Sequence, residues 1–281
     1  MREIDVKDIT QAVARLAQKT NTALGDDVLE ALKKARENEA SPIGREALDR
    51  LIDNVRVAKT QNLPLCQDCG APIVFLDIGQ ELHFTGGDLN ASIAQGIRQG
   101  YTEGYLRKSI VAQPFTKRLN TGDNTPPIIH FEIVPGDKIK IGFMPKGGGA
   151  ENMSRLVMLK PGAGEQGIID AVESTVKTAG GNACPPLVIG LGIGATAEKA
   201  MIMAKKALLR PLGWPSSDPE NALLEKKVLE RINKLGIGPL GMGGTVTALA
   251  VHAESRPCHF ASLPLSINLQ CHSARHAEVV L

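Results

Sequence analysis

Apolar residues recur at three- and four-residue spacing through roughly the first sixty positions, then give way to short apolar runs and alternating stretches. This change of period constrains the fold more than any other feature of the chain. Val6, Ile9, Val13 and Leu16 mark a first helix, and Val28, Leu29 and Leu32 a second behind the acidic start Asp26-Asp27. Ser41-Pro42 supplies the cap and first-turn residues of a third, carried by Ala47, Leu48, Leu51, Ile52 and Val55. Together they read as a bundle-like opening. Residues 63–70 are turn-rich and feed Ile73-Val74-Phe75-Leu76, a buried strand, and a long helix is expected from 88 to about 108 through Ile93, Ile97 and Tyr101. Beyond a polar loop, 128–134 and 138–143 alternate like the arms of a hairpin joined by Pro135-Gly136-Asp137. Later helices are expected at 165–178, from Gly194 through Ala207 and at 220–234, with strands at 187–189, 245–251 and 261–269. The fold class is therefore α/β, a mixed sheet with surrounding helices and a helical N-terminal region over about residues 1–62, in a single domain spanning 1–281.

The 281 residues suffice for a full core, and 43% hydrophobic with 22% charged residues is an ordinary globular balance. A net charge of +2 and only 3% aromatic residues leave neither the basic footprint nor the stacking rings of a nucleic-acid binder. Acids occur from the third residue on, so a secretion signal is not expected, and no segment nears the roughly 18 apolar residues of a membrane span. The expected compartment is the cytoplasm. There the five cysteines stay reduced and serve metal binding, catalysis or burial.

Residues 144–152 read Met-Pro-Lys-Gly-Gly-Gly-Ala-Glu-Asn. Three glycines after a rigid proline leave amide N–H groups uncovered, and a string of such amides can cradle an anion. A second glycine string, Gly190-Leu191-Gly192-Ile193-Gly194, does not fit the G-x-G-x-x-G of a dinucleotide site and reads as a tight strand-to-helix turn.

Cys66, Cys184 and Cys271 sit at turns or strand ends, too far apart in sequence for a local zinc knuckle. If the fold gathers them, three soft thiolates suit an iron–sulfur cluster, zinc or Cu(I). A four-iron cluster held by three of them keeps one iron open as a Lewis acid. Cys66-x-x-Cys69 also admits a redox pair or half of a zinc site completed by Cys258, His259, Cys271 and His272.

Five stretches together resemble the iron–sulfur class I fumarate hydratases and the related tartrate dehydratases: Cys66-Gln67-Asp68-x-Gly70, the run 120–126 (Asn-Thr-Gly-Asp-Asn-Thr-Pro), 144–152, Ala183-Cys184-Pro185-Pro186 and Pro257-Cys258-His259. They occur in order from about Asp8 to Cys271 and cover the alpha portion of that family. The resemblance implies a [4Fe-4S] cluster with one open iron, held by Cys66, Cys184 and Cys271. It further implies a separate beta subunit, a heterotetramer of two alpha and two beta chains, and a dicarboxylate substrate, fumarate or malate. One departure is Cys69, where the family motif usually has threonine; it would add an oxidisable thiol beside the cluster.

On the same resemblance Asp68 and His259 are catalytic, and Gln67, Arg107 and Gly149 bind substrate. Asp68 would pair with a threonine of the beta portion that acts as base, Arg107 would clamp a substrate carboxylate, Gly149 would offer an amide, and His259 would attend the hydroxyl end. Arg107 is expected at a helix C-terminus, where a cation also has a purely structural reason to sit. Lys146 would add charge or stay solvated. The function expected is reversible hydration of fumarate to L-malate. L-tartrate dehydration is the nearest alternative, and a non-catalytic zinc- or redox-binding module on Cys66, Cys69, Cys258 and Cys271 is an alternative of another class.

Overall fold

The computed structural model describes residues 2–281. In chain order its elements are β1 (Arg2–Asp5), α1 (Val6–Thr22), α2 (Asp26–Asn38), α3 (Pro42–Gln61), β2 (Ala71–Gly79), β3 (Leu82–Thr85), α4 (Leu89–Glu103), β4 (Ile128–Val134) and β5 (Ile139–Lys146). There follow α5 (Gly148–Glu151), β6 (Arg155–Leu159), α6 (Gly164–Ala179), β7 (Leu187–Gly194), α7 (Ala197–Ala207), α8 (Pro219–Asn233), β8 (Ala248–Arg256), β9 (Leu263–Gln270) and β10 (Ala277–Val280). They form two compact units: Met1–Gly25, Val57–Gly148 and Arg275–Leu281 make the first, and Asp26–Arg56 with Gly149–Ala274 the second. Each is α/β and each has its own mixed sheet.

In the first unit the sheet order is β10-β5-β2-β4, with β2 parallel to β4 and antiparallel to β5. The expected hairpin of β4 with β5 does not form. Both strands are present, but β2 lies between them, and its end receives the connecting turn through Gly79 N–H to Lys138 O and Gln80 N–H to Val134 O. Alternation reported which residues share a face; it carries no information about the partner strand. One face of this sheet is covered by α1 and α4, whose Ile9, Val13, Leu16, Ile93, Ile97 and Tyr101 join Val74, Leu76 and Phe143 in the core. The two helices approach closely because α4 presents Gly96 and Gly100. A β-carbon at either would fall 2.6 or 2.8 Å from a backbone oxygen of α1.

The helical opening is not a bundle of its own. Within the first unit α1 packs on α4 and β5; within the second, α2 packs on β8. Helix α4 also ends at Glu103 rather than near 108. Tyr105 takes a left-handed φ of 51°, and the Leu106 N–H to Tyr101 O and Tyr105 N–H to Thr102 O bonds close a Schellman cap. Arg107 lies beyond it, so the helix dipole does not explain its charge.

The second unit layers helices on both faces of the sheet β6-β9-β7-β8. Leu187, Ile189, Leu191 and Ile193 of β7 face α6 and α8, packing with Val172, Val176, Val228 and Ile232. The alternate residues Gly190 and Gly192 face α7. The expected turn across 190–194 is thus an interior strand, and its glycines serve helix packing. A β-carbon on Gly190 would sit 2.0 Å from Ala204 O, and one on Gly192 the same distance from Ala200 O. Two residues of strand advance about 6.6 Å and four of helix about 6 Å, so one glycine–alanine seam repeats in step along both elements.

The loop ahead of β4 is held by Asp123. Its carboxylate accepts from the Thr125 N–H at 3.0 Å, the Thr125 hydroxyl at 2.7 Å and Arg98 Nε at 2.8 Å. Burial raises its pKa, but these bonds outweigh burial and hold it at about 2. Folding therefore favours the ionised form, a stabilisation complete above the unfolded carboxyl's pKa of about 3.9 and lost as pH falls through about 2. Asp123→Asn should cost about 1–2 kcal/mol in urea unfolding at pH 7, with the difference from wild type narrowing from about pH 4 downward.

Candidate active site

The loop 66–70 of the first unit joins α3 to β2, and three consecutive carbonyls of it are held by buried side chains. Asp68 O accepts from Arg275 Nη2 at 2.8 Å. Cys69 O accepts from the Tyr101 hydroxyl at 2.6 Å, and Gly70 O accepts from Asn124 Nδ2 at 3.1 Å. Just ahead of the loop, Leu65 N–H donates to Asn21 O at 2.8 Å. A buried carbonyl without a partner is costly, so these bonds leave the loop one conformation.

On this frame Asp68 is half-buried and its carboxylate is clamped by two backbone amides. Gly70 N–H donates to Oδ1 at 2.9 Å and Gly148 N–H to Oδ2 at 2.7 Å. One amide of the triglycine is therefore already occupied by a protein carboxylate. Gly147 and Gly148 line the carboxylate: β-carbons built there would make ordinary contact with Asp68 Oδ2, at 3.4 and 3.7 Å. A carboxylate accepts about four hydrogen bonds. Two positions of Asp68 remain for a hydroxyl or a water.

The other expected residues divide between the units. In the first, Cys66 is half-buried and its Sγ accepts the Asp68 N–H at 3.4 Å; Gln67 and Arg107 are exposed. Lys146 is buried in β5, not solvated. In the second, Gly149 and His259 are exposed, and His259 Nδ1 accepts the Ala261 N–H at 3.1 Å. Cys184 is exposed with a left-handed φ of 53°, and Cys271 is half-buried just past β9. The segments bearing these two cysteines are joined by His272 N–H to Cys184 O at 3.1 Å.

Three thiols at loop positions, one already accepting a backbone N–H, suit a soft metal or iron–sulfur group, since hydrogen bonds to sulfur tune such sites. Among the described residues no cysteine is in a disulfide. Within neither unit are three His, Cys, Asp or Glu side chains of the described residues gathered so that they could hold a metal ion. A zinc or redox pair on Cys66 and Cys69 is disfavoured, because Cys69 belongs to the core of the first unit and its Sγ accepts the Arg107 N–H at 3.3 Å. Burial pushes the Cys69 thiol up, away from the reactive thiolate. This corrects the expectation of an oxidisable extra thiol.

Sequence reading missed Arg275 and Asn21, and it took Tyr101 only for a core residue. A polar residue in an apolar helical stripe, such as Asn21 at the end of α1, was the available signal. A cavity of about 760 Å³ in the second unit holds none of these residues. Among its polar groups, Asp27 is engaged structurally, its Oδ2 accepting the Leu212 N–H. No helix among the described residues is long and apolar enough to cross a membrane.

A family model described as fumarate hydratase (Fumerase) matches residues 10–280. The chain is 43% identical over 274 residues to a Methanocaldococcus jannaschii protein named "Putative L(+)-tartrate dehydratase subunit alpha", covering 96% of each. It is 31% identical over 280 residues to the L(+)-tartrate dehydratase subunit alpha of Escherichia coli K12, covering 98% of this chain and 91% of that one.

Proposed function

We propose that the chain, which belongs to the fumarate hydratase family, is the alpha subunit of a hydro-lyase acting on a four-carbon dicarboxylate, with L(+)-tartrate the favoured substrate. The amide-clamped carboxylate of Asp68, two residues from Cys66 and facing the triglycine, carries the reading. The names of relatives matched over nearly their whole length move the preference from fumarate, which the sequence motifs favoured, to tartrate. Hydration of fumarate to L-malate is the second reading, supported by the family description.

Removing water from a hydroxy acid requires a proton to leave the carbon beside one carboxylate and a hydroxyl to leave its neighbour. With tartrate the product is an enol that becomes a 2-oxo acid. Asp68, fixed by two amides, has the free acceptor positions to receive that proton or to orient a hydroxyl that does. Arg107 would grip a substrate carboxylate with its planar fork, Gly149 would offer an amide to the same dianion, and Gln67 would hydrogen-bond the substrate beside Asp68. His259 would attend the departing hydroxyl. Cys66, Cys184 and Cys271 would hold a [4Fe-4S] cluster, which when bound supplies a Lewis acid for an oxygen of the substrate.

On this reading the 281 residues act as one functional module in the cytoplasm, where thiols stay reduced, completed by a separate beta subunit in a heterotetramer of two alpha and two beta chains. The test is anaerobic purification with the beta subunit, followed by turnover of L(+)-tartrate and L-malate side by side. Faster tartrate turnover is expected. Faster malate turnover would restore the second reading, and an iron-loaded complex inert to both would sink the proposal. Asp68→Asn should lower kcat about 10³-fold, since an amide loses the basic oxygen and turns an N–H toward a donor.

A further inference from the structure

We propose that Arg275 is a positioning residue for Asp68: its buried guanidinium sets the orientation of the 66–70 loop and so aims the Asp68 carboxylate. The inference rests on the role given to Asp68 above. Arg275 is 2% exposed and among the largest fully buried side chains of the protein. Its Nη1 donates to Asn21 Oδ1 at 2.8 Å and its Nη2 to Asp68 O at 2.8 Å, while Nε has no hydrogen-bond partner among the described residues.

A guanidinium stays charged when buried, and removing it from water is expensive. Both of its acceptors are neutral oxygens, so neither returns the full attraction of an ion pair. A gain in stability alone therefore does not account for this residue. What the two bonds do is bridge the end of α1 to the loop peptide between Asp68 and Cys69. With that peptide plane held, the Asp68 side chain reaches the amides of Gly70 and Gly148. Gly147 lies beside both groups. A β-carbon there would lie 3.4 Å from Asp68 Oδ2 and 3.9 Å from Arg275 Nη2. Carboxylate and guanidinium thus converge on one glycine, and the charge of Arg275 also acts on Tyr101 and Cys69, the neighbours of the same loop.

A planar fork can serve two acceptors in fixed directions, whereas an ammonium on a flexible stem cannot hold both with the same geometry. Arg275→Lys therefore separates charge from positioning. NMR-detected hydrogen exchange on the full-length chain reads the Gly70 and Gly148 amides, which Asp68 protects. In Arg275→Lys their exchange should be about tenfold faster, with distant core amides unchanged. In the complex with the beta subunit, kcat per loaded enzyme should fall about 10²-fold with KM nearly unaltered. Arg275→Gln should be at least as impaired; should it fail to fold, the lysine variant carries the test. Unchanged protection at Gly148 in Arg275→Lys would overturn the proposal. Faster exchange with an unaltered kcat would uphold the positioning of Asp68 and instead refute the catalytic role assigned to it.

Discussion

Cys184→Ser is expected to abolish turnover, lowering kcat more than about 10³-fold, and to leave the alpha-beta complex without its iron and sulfide. The substitution is sterically mild. Cys184 is exposed, its φ of 53° is left-handed, and its carbonyl is held by the His272 N–H, none of which depends on the sulfur. The variant should therefore fold and unfold like wild type while losing its soft donor. A hydroxyl is a poor replacement for a thiolate toward iron–sulfur groups. Cys258→Ser is the control. That thiol is exposed and bonded to Ser262 O at 3.2 Å, and its loss should change neither iron content nor rate. Metal analysis and activity of anaerobically purified complexes check both variants. Iron-replete, active Cys184→Ser would remove this cysteine from the site.

Gly192→Ala is expected to destabilise the second unit by about 3 kcal/mol or more, and Gly190→Ala by a similar amount. Each added methyl would have to occupy a position 2.0 Å from a backbone oxygen of α7. Backbone cannot rotate away as a flexible side chain can, so α7 would have to lift off the sheet. Doing so would open contacts around Ala200 and Ala204, both fully buried. Gly162→Ala is the matching control, because nothing lies within 4 Å of its missing β-carbon. Urea unfolding of the three variants decides the matter. A Gly192→Ala midpoint indistinguishable from that of Gly162→Ala would show that α7 does not depend on the seam.

These two substitutions also mark where sequence reading stopped. The helices α1, α6 and α8 were legible because a buried stripe repeats with the helical period, and β2 because it carries an unbroken apolar run. At 190–194 the local signal misled, since glycine in a strand and glycine in a turn look alike without the helix that crosses them. The β4–β5 pairing failed for the same kind of reason. Neighbouring strands in sequence usually pair, but β2 claimed the space between them from about fifty residues upstream. The Cys66-Gln67-Asp68 motif could be recognised as a string of residues, and its neighbours in space could not. Arg275, Tyr101 and Asn124 come from three distant segments, and each holds a carbonyl of the same loop.

By itself, then, the sequence determined most of the helices, the α/β class and the chemical character of the candidate residues. Each of these follows from side-chain type and local period. Only the tertiary structure decided that the triglycine holds a carboxylate of the protein itself, that the second glycine string is a packing seam, and that Cys69 is core. It also decided that a buried arginine near the C-terminus holds the loop carrying Asp68. Those outcomes depend on which distant groups compete for the same space and the same hydrogen bonds, a competition that exists only once the chain has closed on itself.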